Sequence, residues 1–200
     1  IDLHIHTTNS DGYFSPKEIV EMASKNDTSL IAISDHDSIC GLPEFKENLK
    51  FGMHGIAGVE FSSYIMLNNK KIKLHILGYG FDENNIKMLN LLQEMKEKRV
   101  AAHIKLLNFA KMKLLNLPED SLSRINMERY CWFDREFIKC LEQDNYSMDV
   151  INYYRDYFKN NRFSYGPDYD LEVQRVIDAI HSADGFVVLA HPMAYKLTRD

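Results

Sequence analysis

Cysteine is scarce. Cys40, Cys131 and Cys140 are the only three in 200 residues, an odd number at spacings that match neither a zinc knuckle nor a redox pair. That count does not support a disulfide framework, and reduced packing thiols in a cytoplasmic protein are expected instead. No apolar run reaches the roughly 18 residues a membrane-spanning helix needs, and the first residues lack the basic-then-apolar pattern of a signal peptide. Excess positive charge is missing too. With a net charge of −5 the chain presents no basic field for gripping long duplex nucleic acid, although a small anionic substrate held through bound cations stays compatible. Also absent are a Gly-x-x-x-x-Gly-Lys phosphate loop, a dinucleotide fingerprint and a Gly-x-Ser-x-Gly elbow, which disfavours nucleotide-driven motors, dehydrogenases and serine hydrolases. What the chain does have is 45% hydrophobic residues, enough for a domain with a true core and room for a second small lobe.

The informative stretch is the first one, Ile1-Asp2-Leu3-His4-Ile5-His6, where apolar and polar residues alternate. In a strand, residues two apart share a face, so the two histidines project together as half of a metal site. A polar loop follows with Asp11 before Gly12, and Ser15-Pro16-Lys17-Glu18 reads as a capping box opening a helix over 16–26. Leu30-Ile31-Ala32-Ile33-Ser34 suits a buried parallel strand that ends in Asp35-His36-Asp37, and a helix over 42–50 is expected next. Gly55-Ile56-Ala57-Gly58-Val59-Glu60 reads as a further strand ending in a glutamate. The segments 61–66 and 71–79, joined at Asn68-Asn69-Lys70, read as a hairpin with His75 in its second arm. A long amphipathic helix over 82–117 carries a stripe of Leu89, Leu92, Met95, Lys96 and Arg99. Residues 118–166 differ in texture, rich in Tyr, Phe, Asn and Arg, and read as a helical insertion with helices near 119–129, 134–143 and 147–158. Asp168 or Asp170 is expected to cap a helix over 170–183, before a strand, 186–190, that runs into His191-Pro192. His54, His103 and His181 read as loop, packing or surface residues.

His4, His6, His36, Glu60 and His191 thus each close an apolar strand, and Asp11 lies on an adjoining loop. In a parallel β/α sheet or barrel the strand ends share one face, so these groups are expected to converge. Several imidazoles with carboxylates favour Mn, Fe or Zn over a magnesium-only site. The donors outnumber the needs of one tetrahedral ion, and a cluster of two or three ions bridged by Glu60 accommodates them. Such a cluster acidifies a bridging water and clamps the oxygens of a displacement at phosphorus, which points to phosphoester hydrolysis.

Together, Asp2-Leu3-His4-Ile5-His6, Ser10-Asp11-Gly12, Ser34-Asp35-His36-Asp37, Gly58-Val59-Glu60, His75-Ile76-Leu77-Gly78-Tyr79 and Ala190-His191-Pro192 resemble the ordered motifs of the polymerase and histidinol phosphatase (PHP) superfamily. The nearest branch is that of stand-alone bacterial phosphoesterases acting on nucleotides and short RNA. The resemblance implies a distorted (β/α)7 TIM-like barrel, formed by 1–117 and 167–200, with the helical insertion 118–166. It also implies a trinuclear site. His4, His6 and Glu60 would hold one ion, Glu60, His75 and His191 a second, and Asp11 and His36 a third.

The pattern is departed from twice. The family takes its last ligands, an aspartate and a histidine, from a strand further downstream, and none follows His191, so the chain is expected to be a fragment lacking the last strand or strands. In the insertion, a Gly-Arg-Pro-His segment of relatives is replaced by Phe133-Asp134-Arg135-Glu136-Phe137, where Arg135 is a candidate substrate contact. The expected activity is hydrolysis of phosphomonoesters, or of the terminal phosphodiesters of nucleotides or short oligonucleotides, by a metal-bridging hydroxide. Asp35, His36 and Glu60 are the candidate catalytic residues, and the general acid is open between Asp35, a metal-bound water and no residue at all. A histidinol-phosphate-type phosphatase, an amidohydrolase-like enzyme and a non-catalytic module are the alternatives. No membrane and no long duplex is expected as a partner.

Overall fold

The computed structural model describes residues 1–113, 124–125, 133–165 and 170–195. The expected helix near 119–129, apart from 124–125, and Cys131, Trp132 and Asp168 lie outside them. The chain divides into two compact units, Ile1–Met95 with the segment from Asp170 on, and Lys96–Tyr169.

The first unit is an α/β fold built on a mixed sheet. Strands β1 (Asp2–Ile5), β2 (Leu30–Ile33) and β3 (His54–Leu67) run parallel, with helices α1 (Pro16–Lys25) and α2 (Leu42–Asn48) as their crossovers. Strand β4 (Lys70–Tyr79) returns antiparallel along β3, and β6 (Phe186–Leu189) pairs antiparallel with β4. The order is β1-β2-β3-β4-β6, and among the described residues this sheet does not close on itself. Two expectations are corrected. The strand ending at Glu60 and the hairpin arm 61–66 are one 14-residue strand, because β4 takes up pairing from Gly58 onward, just past the last β2 partner, Ala57. The helix expected over 170–183 starts later: Leu171–Glu172 form a short strand, β5, beside Ser63 and Tyr64, and α6 follows at Val173–Ser182. Leu171 is buried there, which places it in the sheet layer.

Local chemistry explains the elements. The Ser15 hydroxyl accepts from the Glu18 N–H and the Glu18 carboxylate accepts from the Ser15 N–H, so α1 opens on a complete capping box with proline in its first turn. Asn68 and Asn69 both take positive φ, 49° and 61°, the conformation a two-residue hairpin turn needs and one that asparagine tolerates. Val20, Ile31, Ile33, Phe45, Val59, Phe61, Met88, Met95, Val176 and Ile180 form the core between sheet and helices. Full burial of each such large side chain contributes about 1.5–3 kcal/mol. Helix α3 (Ile86–Lys113) contributes through Met88, Leu91, Leu92 and Met95, while Leu89, expected on its inner stripe, is exposed.

In the second unit, α4 (Phe133–Gln143) and α5 (Met148–Tyr165) enclose a smaller core of Ile125, Phe137, Ile138, Leu141, Ile151 and Tyr154. Cys140 is buried there and Cys40 is exposed, both as free thiols. No helix among the described residues is long and apolar enough to cross a membrane.

Candidate metal centre

Glu60 is the hub. Its side chain is 1% exposed, yet five imidazoles from four separate strand and loop segments meet its carboxylate. Oε2 lies 3.0 Å from His4 Nε2, 3.1 Å from His6 Nε2 and 3.4 Å from His36 Nδ1. Oε1 lies 3.0 Å from His75 Nδ1 and 2.9 Å from His191 Nε2. The five rings close a circuit around the carboxylate: centroids are 5.1 Å apart for His4–His6, 4.5 Å for His6–His36, 4.9 Å for His36–His75, 5.1 Å for His75–His191 and 6.0 Å for His191–His4.

The backbone explains the convergence. Glu60 sits where β3 passes from β2 to β4. Its N–H donates to the Asp35 carbonyl and its carbonyl accepts from the Asp37 N–H, so Asp35-His36-Asp37 is latched onto it as a continuation of the parallel ladder. Asp37 adopts φ 49° and its carboxylate accepts from the Ser62 N–H at 2.7 Å. His75 faces Ser62 across the hairpin, and so shares the sheet face of Glu60. Glu60 therefore lies inside a strand rather than at its end, because β3 runs on past it as the first arm of the hairpin, while His75 lies in the second arm as expected. His191 follows β6 with φ 29°, a left-handed value that a non-glycine residue keeps only when its surroundings hold it.

Asp11 joins through His6, its Oδ1 standing 3.4 Å from Nδ1. The loop that carries it is tied down by Asp35, which is 2% exposed. Asp35 Oδ1 accepts from the Thr7 N–H at 2.7 Å and the Ser10 hydroxyl at 2.5 Å, and Oδ2 accepts from the Thr7 hydroxyl at 2.7 Å. Gly12 closes the loop so tightly that a Cβ there would fall 2.2 Å from the His6 carbonyl oxygen. Two further groups were not singled out from the sequence. The Tyr195 hydroxyl, on the 3-10 turn Pro192–Tyr195, accepts from the His75 N–H at 2.8 Å and lies 3.0 Å from His191 Nδ1. The Tyr79 hydroxyl donates to the Leu3 carbonyl at 2.7 Å, pinning the strand of His4 and His6. A tyrosine four residues after a histidine was the only available sign of the first.

Electrostatics follow this geometry. Burial pushes the Glu60 carboxyl up, but hydrogen bonds from His4, His6 and His75 outweigh it and hold the group far below the usual carboxylate range. Burial pushes His36 down to about 3 despite the neighbouring Glu60, so it is neutral and ready to ligate. Burial also opposes a proton on His6, yet the Glu60 hydrogen bond and the charges of Glu60, Asp11 and Asp35 raise it.

Three donor groups fit a metal ion, each with ligand atoms within 4.8 Å of one another: His4, His6 and Glu60; His6, Asp11 and His36; His36, Glu60 and His75. Imidazole nitrogens sharing one buried carboxylate are the donor chemistry of a bridged transition-metal cluster. His191 meets the same carboxylate from the side of His75. His54 and His181 are exposed, and His103 is buried within α3. Arg135 is exposed on α4, in the second unit.

Known proteins share this arrangement of sequence. The chain is 28% identical over 208 residues to a 5'-3' exoribonuclease of Haemophilus influenzae, covering 98% of this chain and 70% of that protein. It is 26% identical over 207 residues to a 3',5'-nucleoside bisphosphate phosphatase of Chromobacterium violaceum, covering 100% and 69%. Against a phosphoribosyl 1,2-cyclic phosphate 1,2-diphosphodiesterase of Eggerthella lenta the identity is 26%, over 96% of this chain and 73% of that one. A solved structure described as an amidohydrolase from Chromobacterium violaceum, with bound sulfate and no metal, superposes with a TM-score of 0.76 at 25% identity, covering 99% of this chain and 69% of the other. The first three are named for action on RNA, a nucleoside bisphosphate and a phosphoribosyl cyclic phosphate. The model of the PHP domain matches residues 2–175, and the chain belongs to that family.

Proposed function

We propose that this chain is a metal-dependent phosphoesterase that hydrolyses phosphomonoester or terminal phosphodiester bonds of nucleotides or short oligonucleotides. The observation that carries this reading is Glu60, one buried carboxylate met by five imidazoles. His4, His6, Glu60, His75 and His191, with Asp11 and His36, are the proposed ligands of two or three Mn, Fe or Zn ions. When bound, such ions supply positive charge for the phosphoryl oxygens and make water acidic enough to attack near neutral pH. The chain's own part is to position. Glu60 spreads its two oxygens between the His4–His6–His36 side and the His75–His191 side. His36 stays neutral through burial. Tyr195 fixes the ring nitrogen of His191 that points away from Glu60. Asp35, with both oxygens engaged by Thr7 and Ser10, is proposed to hold the loop of Asp11 rather than to donate a proton.

The finer fold we propose is the distorted (β/α)7 barrel, with 118–166 as its insertion. Three parallel strands support it, as do the exposed apolar side chains of β6, Phe186, Val188 and Leu189, which suit a strand covered by further structure. Arg135 is kept as a proposed substrate contact. The free thiols fit the cytoplasm as the proposed compartment.

The test is metal content and turnover together. Purified protein supplied with Mn2+ should bind at least two ions and release nitrophenol from bis(p-nitrophenyl) phosphate or phosphate from nucleotides. Metal binding without hydrolysis of any phosphoester would favour a non-catalytic module, and hydrolysis of amides alone would move the chain to another reaction class.

A further inference from the structure

Strand β3 carries two adjacent buried serines whose hydroxyls are treated differently. Ser63 is 1% exposed and its hydroxyl donates to the Leu74 carbonyl at 2.9 Å, the ordinary way for a serine in a sheet to be satisfied. Ser62 is 2% exposed, and its N–H donates to the Asp37 carboxylate at 2.7 Å. The Ser62 hydroxyl oxygen, by contrast, is shielded from solvent and has no hydrogen-bond partner among the described residues. A buried hydroxyl left without a partner is costly, so its presence calls for a partner that is not protein.

Position indicates which partner. Side chains two apart on a strand share a face, and so do directly paired residues. Glu60 and Ser62 are two apart on β3, and Ser62 pairs with His75 across the hairpin. The hydroxyl therefore stands on the face of the metal centre, with its Cβ about 4.5–5.5 Å from that of His75 and roughly 7 Å from that of Glu60. Those two neighbours meet at 3.0 Å and are proposed ligands. A hydroxyl carries one proton to give, and an oxygen held by cations and bearing negative charge is a strong acceptor for it.

We propose that Ser62 is a further residue of the metal centre, its hydroxyl donating to an oxygen ligand of the bound ions. That oxygen comes from solvent or from a phosphoryl group. The inference rests on the reading of the centre as a metal site and adds a residue that orients what the ions hold.

The experiment compares the parent, Ser62→Ala and Ser62→Thr in urea unfolding in EDTA, in Mn2+ binding by calorimetry, and in binding of inorganic phosphate to the Mn2+-loaded protein. In EDTA the Ser62→Ala midpoint is expected to equal or exceed the parent's, because an unpaired buried hydroxyl is removed. With Mn2+ the same variant should lose affinity by about tenfold or more. A loss already present in the Mn2+ titration identifies a solvent oxygen, and a loss confined to phosphate identifies a phosphoryl oxygen. Ser62→Thr keeps the hydroxyl and suits a strand, so it should restore the affinity. A lower urea midpoint for Ser62→Ala in EDTA, as removal of a structural hydrogen bond would give, overturns the proposal. Equal Mn2+ and phosphate affinities in the parent and Ser62→Ala overturn it as well. A parent that binds no Mn2+ removes the metal-site reading and Ser62 with it, whereas a parent that binds Mn2+ with Ser62→Ala unchanged removes Ser62 alone.

Discussion

Replacing Asp35 separates an anchoring role from a proton-donating one. Its carboxylate receives three hydrogen bonds in a site where Thr7 and Ser10 have no solvent exposure. In Asp35→Ala the Thr7 N–H loses the acceptor it has among the described residues, whereas the Ser10 hydroxyl can turn toward His6 Nδ1, 3.4 Å away. With each orphaned buried donor costing about 1–3 kcal/mol, Asp35→Ala should lose about 3–5 kcal/mol of stability. Asp35→Asn keeps one oxygen for Thr7 N–H and Ser10 and loses the charge, so about 1–2 kcal/mol is expected. Urea unfolding followed by circular dichroism, in EDTA so that metal does not contribute, reads both values. Turnover with Mn2+ adds the second arm. An anchor predicts that Asp35→Asn lowers kcat/KM at every pH with the profile keeping its shape, because Asp11 is less well held. If stability is unchanged in both variants, or if Asp35→Asn removes the alkaline limb of the pH profile, the anchoring argument is wrong and Asp35 is a proton donor.

Three other outcomes are expected. Glu60→Gln should abolish high-affinity Mn2+ binding by calorimetry, because the amide cannot bridge ions as a carboxylate does; tight binding of two or more ions by that variant would remove Glu60 as the bridge. Tyr195→Phe should weaken metal affinity about 10–100-fold through loss of the hydroxyl that orients His191, and unchanged affinity would limit that hydroxyl to local packing. In EDTA, stability should decline as pH falls below about 6.5, because the unfolded chain takes up a proton at His36 that the folded site, with its value near 3, refuses. The slope from that group approaches about 1.4 kcal/mol per pH unit; His6, with its raised value, acts in the opposite sense, and a urea midpoint higher at pH 5.5 than at pH 7.5 would refute the assignment.

Much of this protein was legible in residue order. Alternation at His4 and His6, the capping box at Ser15, the apolar run ending at His36 and the asparagine turn at 68–69 are local signals, each written in a few neighbouring residues. They located every imidazole around Glu60, with His75 supplied by resemblance to the family. What local pattern could not supply was strand continuity. Whether β3 ends at Glu60 or runs on to Leu67 depends on β4 lying antiparallel beside it, and a strand's partner is chosen by burial across the whole sheet. That choice put Glu60 inside a strand rather than at its end. The roles of Asp35 and Tyr195 were likewise decided only by tertiary structure. Asp35 meets Thr7 and Ser10 across 28 and 25 residues, and Tyr195 meets His75 across 120, because hydrogen-bond partners are set by where the backbone brings donor and acceptor, not by sequence spacing. Residue order supplied the imidazoles and carboxylates of the candidate metal site; the folded sheet decided that the imidazoles share one carboxylate.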